Sequence, residues 1–400
     1  MSRILTFNAG SSTIKLGVFE SAASEEVRPL AGGVLDLRVS PLELKFNHDG
    51  SRETIELDAA VSDDLGDVID ALLAWLEAKF EGEAFSAAGH RIVHGGLHFD
   101  APVWLDEAII DRLDELSPLA PLHQPAGLKL VRAMQRARPR LPQVACFDTA
   151  FHRTQAPLVT RMAIPRALHE EGVRRYGFHG LSYESIADTL RNEEPALLAK
   201  KLVVAHLGSG ASLCAMEGGV SRDTSMGFSA LDGIPMATRP GELDAGVPLY
   251  LQQQRGMSVD ELQQWLYHEC GLKGVSGISA DARVLLESDA PEAGEAIELF
   301  CFRIARGISA LANTLGGLDG IVFTAGIGEH QPPVRAQVCE HLSWLGAKID
   351  AGANARDARV LDGEGSRLAI RMIQTDEERV IAQSVHRLIE GNEVTNEARA

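Results

Sequence analysis

The sequence predicts an α/β protein built from two similar α/β domains, and three observations lead there. The chain has 400 residues, more than one ordinary core organises, so two domains are the prior. Short apolar runs alternate with longer stretches of helical spacing. Two glycine-containing turns about half a chain apart share one layout. "ILTFNAGSSTIKLGVF" and "VVAHLGSGASLCAM" each read apolar run, polar residue, small-residue turn, apolar run. The likeness is either an internal duplication or a chance match of two short segments, and the pattern alone does not choose. A duplication would set two halves facing each other across a cleft, each offering a glycine turn, and ligands favour such clefts. No low-complexity linker marks the boundary, which is expected between Asp148 and Thr160. The expected domains are residues 1–150, completed by a C-terminal helix from about 384 to 400, and residues 151–383.

The elements follow in order. "RILTF" and "IKLGVF" flank the first turn as two strands. Between Asp64 and Phe80, apolar residues fall at Leu65, Val68, Ile69, Leu72, Leu73 and Leu76, the spacing of a helix with one core face. "PQVACFDTAF" reads as a strand that delivers Asp148 to its end. "KLVVAHLGSGASLCAM" is strand, glycine turn, strand, and "GIVFTAGIGEH" is a strand into a glycine turn. "QPPVRAQVCEHLSWLG" opens a helix with early prolines, where a missing N–H costs least. "TDEERVIAQSVHRLI" reads as a capping box with Thr375 as N-cap and Glu378 three residues on. On that reading Glu377 is a first-turn helix charge.

Composition bounds the function. Apolar residues make up 45% and charged residues 24%, the balance of a soluble globular chain. No window of 18 apolar residues occurs, so no membrane span is expected. No hydrophobic region follows "MSRILTF", so no signal peptide is read and a cytoplasmic location is expected. The five cysteines, Cys146, Cys214, Cys270, Cys301 and Cys339, form no CxxC and support neither a disulfide framework nor a zinc site. A net charge of −18 argues against a nucleic-acid partner. A small anionic substrate remains open, provided cations gather locally against the acidic background.

The motifs are individually weak. No P-loop is present. "NAGSSTIK" can cradle phosphate through small residues, backbone N–H groups and Lys15, or it is a plain hairpin turn. "HLGSGAS" and "TAGIGEH" are similar, and three glycine turns after strand-like runs are stronger together, because glycines let a backbone approach a nucleotide closely. In "GHRIVHGG", His90, His94 and, further on, His98 are spaced by four, yet the stretch reads as a strand into a turn, so a metal site is disfavoured. Arg91 precedes that turn and can clamp an anion. "RRYGFHG" carries His179, "MATRPGELDAG" carries Arg239, and "GISADARVLL" carries Asp281 and Arg283. A lone histidine is usually structural and single loop arginines are usually solvated.

Together these residues resemble the acetate and propionate kinase family. The resemblance rests on "NAGSSTIK", "HRIVHGG", "PLHQP", "CFDTAFH", "RRYGFHG", "HLGSGAS", "DTSMGF", "TRPGELD", "FTAGIGEH" and "TDEE", in the family's order over nearly the whole chain. It implies two duplicated actin-like, ribonuclease H-like domains, a fold shared with sugar kinases, heat-shock ATPases and actin. It implies a homodimer and the reversible reaction ATP + acetate to ADP + acetyl phosphate with Mg²⁺, Mn²⁺ being an alternative. By position, Asn8 and Glu377 match the family's metal-linked residues and Asp148 its catalytic acid near the metal. Arg91 and Arg239 match the arginines at the carboxylate and the transferring phosphoryl group, and His179 the histidine that stabilises the transition state. Lys15 and Ser12 lie in the turn at the nucleotide phosphates, and His206, Leu207, Gly208, Ser209 and Gly210 form the second phosphate-side loop. Asp281, Ala282 and Arg283, with Gly326, Ile327, Gly328, Glu329 and His330, match the adenosine pocket. Val93, Leu122 and Phe178 match the pocket for the acetate methyl, with Ala230 beside them.

The implied roles agree with the chemistry. A phosphoryl group in flight spreads charge over its equatorial oxygens, and catalysis is mostly positioning and electrostatics. A carboxylate nucleophile is already ionised at neutral pH, so Asp148 serves the metal or orients the substrate and removes no proton. The sequence departs from the family's usual residues at Ser209 and His330, each in place of Asn, which bears on nucleotide preference. Ala230 stands in place of Pro, and Ala237, Pro240 and Ala245 replace Gly, Ser and Pro. Ala230 widens the acyl pocket by about one methylene, worth about 1–3 kcal/mol of discrimination, so better use of propionate is expected. Two other readings stand beside the kinase: a chaperone or filament ATPase, and a non-catalytic homologue. The first lacks room after "TDEE" for a peptide-binding domain. The second is at odds with the presence of Asn8, Lys15, Arg91, Asp148, His179, Arg239 and Glu377.

Overall fold

Strands β1 (Ser2–Ala9) and β2 (Thr13–Ser21) form an antiparallel hairpin. Gly10 closes it by donating its N–H to the Thr13 carbonyl at 2.8 Å. The computed structural model describes residues 2–10, 13–21, 27–62, 64–81 and 84–397, with side chains to 391. Ser12, expected at the nucleotide, lies outside the described residues. The chain divides into two compact units, residues 1–150 with 376–400, and residues 151–375.

The first unit adds β3 (Val27–Asp36), β4 (Leu42–His48), β5 (Ser51–Leu57), β6 (Phe85–Ile92), β7 (Val103–Trp104) and β8 (Gln143–Phe147). Its sheet runs β5-β4-β3-β2-β1-β6-β8-β7. One face carries Leu5, Phe7, Ile14, Leu16 and Leu44, which pack with Leu72 and Leu76 of helix Gly66–Lys79 and Met134 of helix Gln124–Ala137. That first helix buries the Val68, Ile69, Leu72, Leu73, Leu76 stripe read from the sequence. The opposite face receives helix Glu377–Glu397. Gly89 of β6 makes this possible, since a Cβ there would lie 2.4 Å from Ile381 Cγ2 and 2.7 Å from Val385 Cγ2.

The second unit has β9 (Lys201–Leu207), β10 (Ala211–Glu217), β11 (Val220–Thr224), β12 (Gly320–Thr324) and β13 (Ala369–Met372), in the order β11-β10-β9-β12-β13. The near-continuous apolar run of β9 suits a strand buried on both faces. Leu202 and Val204 face Tyr183, Ile186, Ala187 and Leu190 of helix Gly180–Glu193. Helix Pro291–Leu315 also packs on this sheet, Gly307 lying against Leu213 of β10. It starts on Pro291 and ends at Gly316 in the left-handed region, the usual asymmetry of helix ends.

The two sheets share a five-strand core. β3-β2-β1-β6-β8 and β11-β10-β9-β12-β13 have the same order. In each, the first three strands form an antiparallel meander, and the fourth and fifth continue parallel to the central one. The two glycine turns occupy equivalent places in this duplicated α/β, actin-like design. Among the described residues, no helix is long and apolar enough to cross a membrane.

Three details differ from the sequence reading. The chain returns to the first unit at Asp376, earlier than about 384, because the last helix begins at Glu377 and its buried Val380 and Ile381 pack there. The cap of that helix is Asp376, whose Oδ1 accepts from the Arg379 N–H at 2.9 Å. Thr375 instead donates its backbone N–H to Glu329. The "AGIGEH" segment is a short helix, Ala325–His330, entered through Ala325 at φ 64°. Its first N–H is satisfied by the Glu329 carboxylate at 2.8 Å, which favours a helical turn over an open loop.

Candidate active site

In the first unit, strand parity gathers one cluster. Phe7 is the register partner of His90, and Arg91 that of Cys146. Side chains alternate along a strand, so Asn8, Arg91 and Asp148 share the face covered by helix Glu377–Glu397, whereas His90 turns to the other face and stacks on Phe7 at 5.5 Å. Arg91 donates Nε to both Asp148 oxygens at 3.0 Å and Nη2 to Oδ2 at 2.5 Å. Its Nη1 donates to Asn8 Oδ1 at 3.1 Å. Asn8 Nδ2 in turn donates to Glu377 Oε2 at 2.8 Å and Glu378 Oε1 at 3.4 Å. Burial works against the Arg91 charge, but Asp148, with Glu377 and Glu378 behind it, outweighs this and raises the guanidinium above its ordinary value. Burial, helped by the negative charge of Glu377, pushes the Glu378 carboxyl up, while Lys15 opposes that shift.

Lys15 sits opposite Asn8 in the β1–β2 register. With Asp376 and Glu378 it lines a cavity of about 540 Å³ in the first unit. Val93 is buried and Leu122 half-buried. Gln124 couples their segments: its amide accepts from the His94 N–H at 3.0 Å and donates to the His94 carbonyl at 3.0 Å.

The second unit holds the other cluster. His206 is the register partner of Ser212, and both face helix Gly180–Glu193. Its cap, His179, at φ 58°, and its residues Ser182 and Tyr183 stand at i, i+3 and i+4, on one helical face. His179 and His206 stack with ring centroids 4.2 Å apart and planes 17° apart. Nδ1 of His179 lies 2.8 Å from Ser212 Oγ, and Nδ1 of His206 lies 2.8 Å from Ser182 Oγ. Both Nε2 atoms therefore lie away from the serines. A Cβ on Gly210 would meet His179 Nε2 at 3.2 Å and Arg239 Nη2 at 3.4 Å, and one on Gly208 would meet His206 Nε2 at 3.6 Å. The two histidine Nε2 atoms and the Arg239 guanidinium thus border the glycine positions of the Leu207–Gly210 turn, where a side chain would crowd them.

Arg239 is steadied by Nη1 donating to the Ala230 carbonyl at 2.9 Å, and its loop joins the turn through Ala237 N–H to Ser209 O at 3.1 Å. Phe178 is buried, and its carbonyl is 2.9 Å from Nε2 of His152. A carbonyl only accepts, so His152 donates there and accepts at Nδ1 from Ser221 Oγ at 2.9 Å. Burial pushes His152 down to about 4, in keeping with that neutral form.

The remaining expected nucleotide residues fall into two places. Asp281 caps the Ala282–Leu286 helix by accepting from Arg283 N–H at 2.9 Å, and it pairs with the exposed Arg283 guanidinium at 2.6 Å. Ala282 is buried. Gly326, Ile327, Gly328, Glu329 and His330 form the Ala325–His330 helix, with His330 largely exposed. Glu329 is committed to its own frame, its Oε1 accepting from Ala325 and Thr375 N–H groups. Sequence reasoning gave no role to Tyr183, Ser182, Ser212, His152, Gln124 or Arg335. Helical spacing from His179 and strand alternation from His206 were the available signals for the first three.

The chain matches the family model described as the Acetokinase family over residues 3–383. It is 47% identical to an acetate kinase of Rhodopseudomonas palustris, covering 97% of this chain and 98% of that one. It is 44% identical to an acetate kinase of Methylocella silvestris, covering 98% and 99%. A crystal structure of a propionate kinase from Francisella tularensis matches with a TM-score of 0.87 at 33% identity, covering 96% of this chain and 99% of that one. The Porphyromonas gingivalis acetate kinase structure matches with a TM-score of 0.85 at 31% identity, covering 97% and 100%. With a family model matched over residues 3–383 and relatives matched over nearly their whole length, the chain belongs to the acetokinase family.

Proposed function

We infer that this protein is a kinase that phosphorylates acetate from ATP, reversibly, giving acetyl phosphate and ADP by direct in-line transfer. The observation that carries the reading is the match to acetate kinases over 97–98% of the chain at 44% and 47% identity. Acetate is ionised at neutral pH, so the transfer needs cations and aligned donors more than a base. Arg91 and Arg239 take the roles of pairing with the carboxylate and the phosphoryl oxygens, and His179 donates to the phosphoryl group in flight. Asp148 holds Arg91 in register for that contact. The Leu207–Gly210 turn and Lys15 serve the phosphates; Asp281 to Arg283 and Gly326 to His330 serve the adenosine.

Mg²⁺ belongs to the same reading. Among the described residues no three His, Cys, Asp or Glu side chains are grouped to cage a metal. Mg²⁺, however, is typically held by one or two carboxylates plus substrate phosphates. Glu377, oriented by Asn8 and set beside Glu378, suits that role. Bound there, the metal would supply charge neutralisation at the phosphates. A homodimer and a cytoplasmic location complete the proposal. Helix Gly246–Arg255 buries none of its residues and leaves Leu249 and Tyr250 about half exposed, which suits a face covered by a second copy.

Propionate is the second reading, favoured by the propionate kinase among the solved relatives and by Ala230. One assay tests both: hydroxylamine trapping of acyl phosphate from ATP, Mg²⁺ and acetate, propionate or butyrate, with chelator controls. Product from acetate supports the first reading, and equal or better product from propionate the second. No acyl phosphate from any of the three, with ATP binding intact, overturns both.

A further inference from the structure

The hydroxyls behind His179 define where its proton sits. Tyr183 OH lies 2.5 Å from Ser212 Oγ, which lies 2.8 Å from His179 Nδ1. Tyr183 is fully buried, and burial raises its phenol well above the ordinary value, so it keeps its proton. Among the described residues, Ser212 Oγ is the only partner of that hydroxyl. The phenol proton must therefore go to Ser212, because a buried donor left without an acceptor carries a full desolvation penalty. Ser212 then accepts from Tyr183 and directs its own proton at His179 Nδ1. A nitrogen that accepts a hydrogen bond carries no proton.

We propose that Tyr183 and Ser212 form a one-way hydroxyl relay that holds His179 as the neutral tautomer protonated at Nε2, so that it presents an N–H donor to the oxygens of a phosphoryl group. The opposite arrangement has an imidazolium giving its Nδ1 proton to Ser212. It would turn the serine proton back toward Tyr183 and strand the phenol proton in the core.

Two further observations fit. His179 Nε2 and Arg239 Nη2 would lie 3.2 and 3.4 Å from a Cβ on Gly210, so the ring nitrogen that carries the proton lies beside the glycine turn and a guanidinium. The rings of His179 and His206 stack at 4.2 Å beside that arginine, an arrangement that two imidazolium charges would oppose. Tyr183 and Ser212 are positioning residues, acting through His179. Their relevance to catalysis rests on the kinase reading, whereas the position of the proton does not.

The test is a long-range ¹H–¹⁵N correlation spectrum of the full-length protein labelled with ¹⁵N-histidine, near neutral pH. His179 signals are assigned by their loss in His179→Gln. The relay predicts a pyrrole-type, protonated Nε2 and a pyridine-type Nδ1 shifted by an accepted hydrogen bond. Ser212→Thr should keep that signature, and Tyr183→Phe should move the Nδ1 shift. Since losing one preorganised donor costs about 10²–10³ in kcat, loosening it in Tyr183→Phe should cost about 10-fold in kcat with KM for ATP and acetate unchanged. Wild-type signals of an imidazolium, or of the Nδ1–H tautomer, would overturn the relay without recourse to any variant. So would a His179 spectrum unaffected by a folded Tyr183→Phe. Wild type with the expected tautomer but no acyl phosphate formation would instead remove the kinase reading and leave the relay standing.

Discussion

Arg91 grips Asp148 through Nε and Nη2, and the aspartate side chain is only 1% exposed. Replacing it with a neutral group takes the hydrogen-bonded counter-charge from a guanidinium that is only 16% exposed. Asp148→Asn is expected to lower the unfolding free energy by about 3–5 kcal/mol and kcat by about 10²–10³ through the misplaced arginine. Urea melts and steady-state kinetics measure the two. An unchanged urea midpoint would mean that the pair does not stabilise the fold.

Gly89 sets how closely the last helix approaches β6. A methyl there meets Ile381 and Val385 at 2.4 and 2.7 Å, and such overpacking costs about 1–3 kcal/mol. The displaced helix carries Glu377. Gly89→Ala should therefore raise the Mg²⁺ concentration needed for half-maximal activity as well as lower the melting temperature. A melting shift with unchanged metal dependence would separate packing from the metal role.

Arg335 is fully buried, far from either cluster in sequence, and ties three segments together. It donates to the Gly328 and Glu329 carbonyls at 2.9 and 2.8 Å, to Asn354 Oδ1 at 2.8 Å and to Asp357 Oδ1 at 2.6 Å. Arg335→Met leaves the Gly328, Glu329 and Asn354 acceptors without their donor, while the more exposed Asp357 carboxylate is left to solvent, with an expected loss of about 1–3 kcal/mol for each acceptor left buried. Because Gly328 and Glu329 belong to the Ala325–His330 helix, ATP affinity should weaken too. Calorimetry and a nucleotide titration would reveal either effect's absence.

Burial pushes His90, His94 and His152 from 6.5 down to about 4. Their folded values lie below the unfolded ones, so the unfolded chain binds protons first as the pH falls. The stability they contribute is complete above about pH 6.5 and is lost toward pH 4, at about 1.4 kcal/mol per pH unit for each histidine. His90→Leu should make this slope shallower by one proton in urea melts across that window. A slope identical to wild type would show that His90 already titrates normally in the fold.

Ala230 tests specificity. Its carbonyl holds Arg239, and on the resemblance to the family its small side chain takes the place of a proline. One methylene is worth at most about 200-fold in kcat/KM, so propionate should fall within that range of acetate, and Ala230→Pro should widen the gap. A propionate efficiency lower than that in wild type counts against the widened pocket.

Much of this was legible along the chain. The alternating runs announced strands, and the stripe from Val68 to Leu76 announced a helix face, because side-chain periodicity is a local consequence of backbone geometry. The likeness of the two glycine turns corresponded to a real repetition of strand order. The cap of the last helix was misjudged by one residue, since Thr375 and Asp376 are both good caps and the choice depends on Glu329 drawing the Thr375 N–H away.

The sequence by itself determined the strand–turn–strand units, the residue types at each turn and the family. Only the tertiary structure decided which of those residues meet. Asn8 touches Glu377 across 369 positions because strand parity and the space above Gly89 bring the last helix onto that face. Ser212 reaches His179 because β9 and β10 pair in one register and the helix after Gly180 starts over them. Periodicity is written in neighbouring residues, but register and helix docking depend on packing between distant segments, where a shift of one residue would turn each of these side chains to the other face.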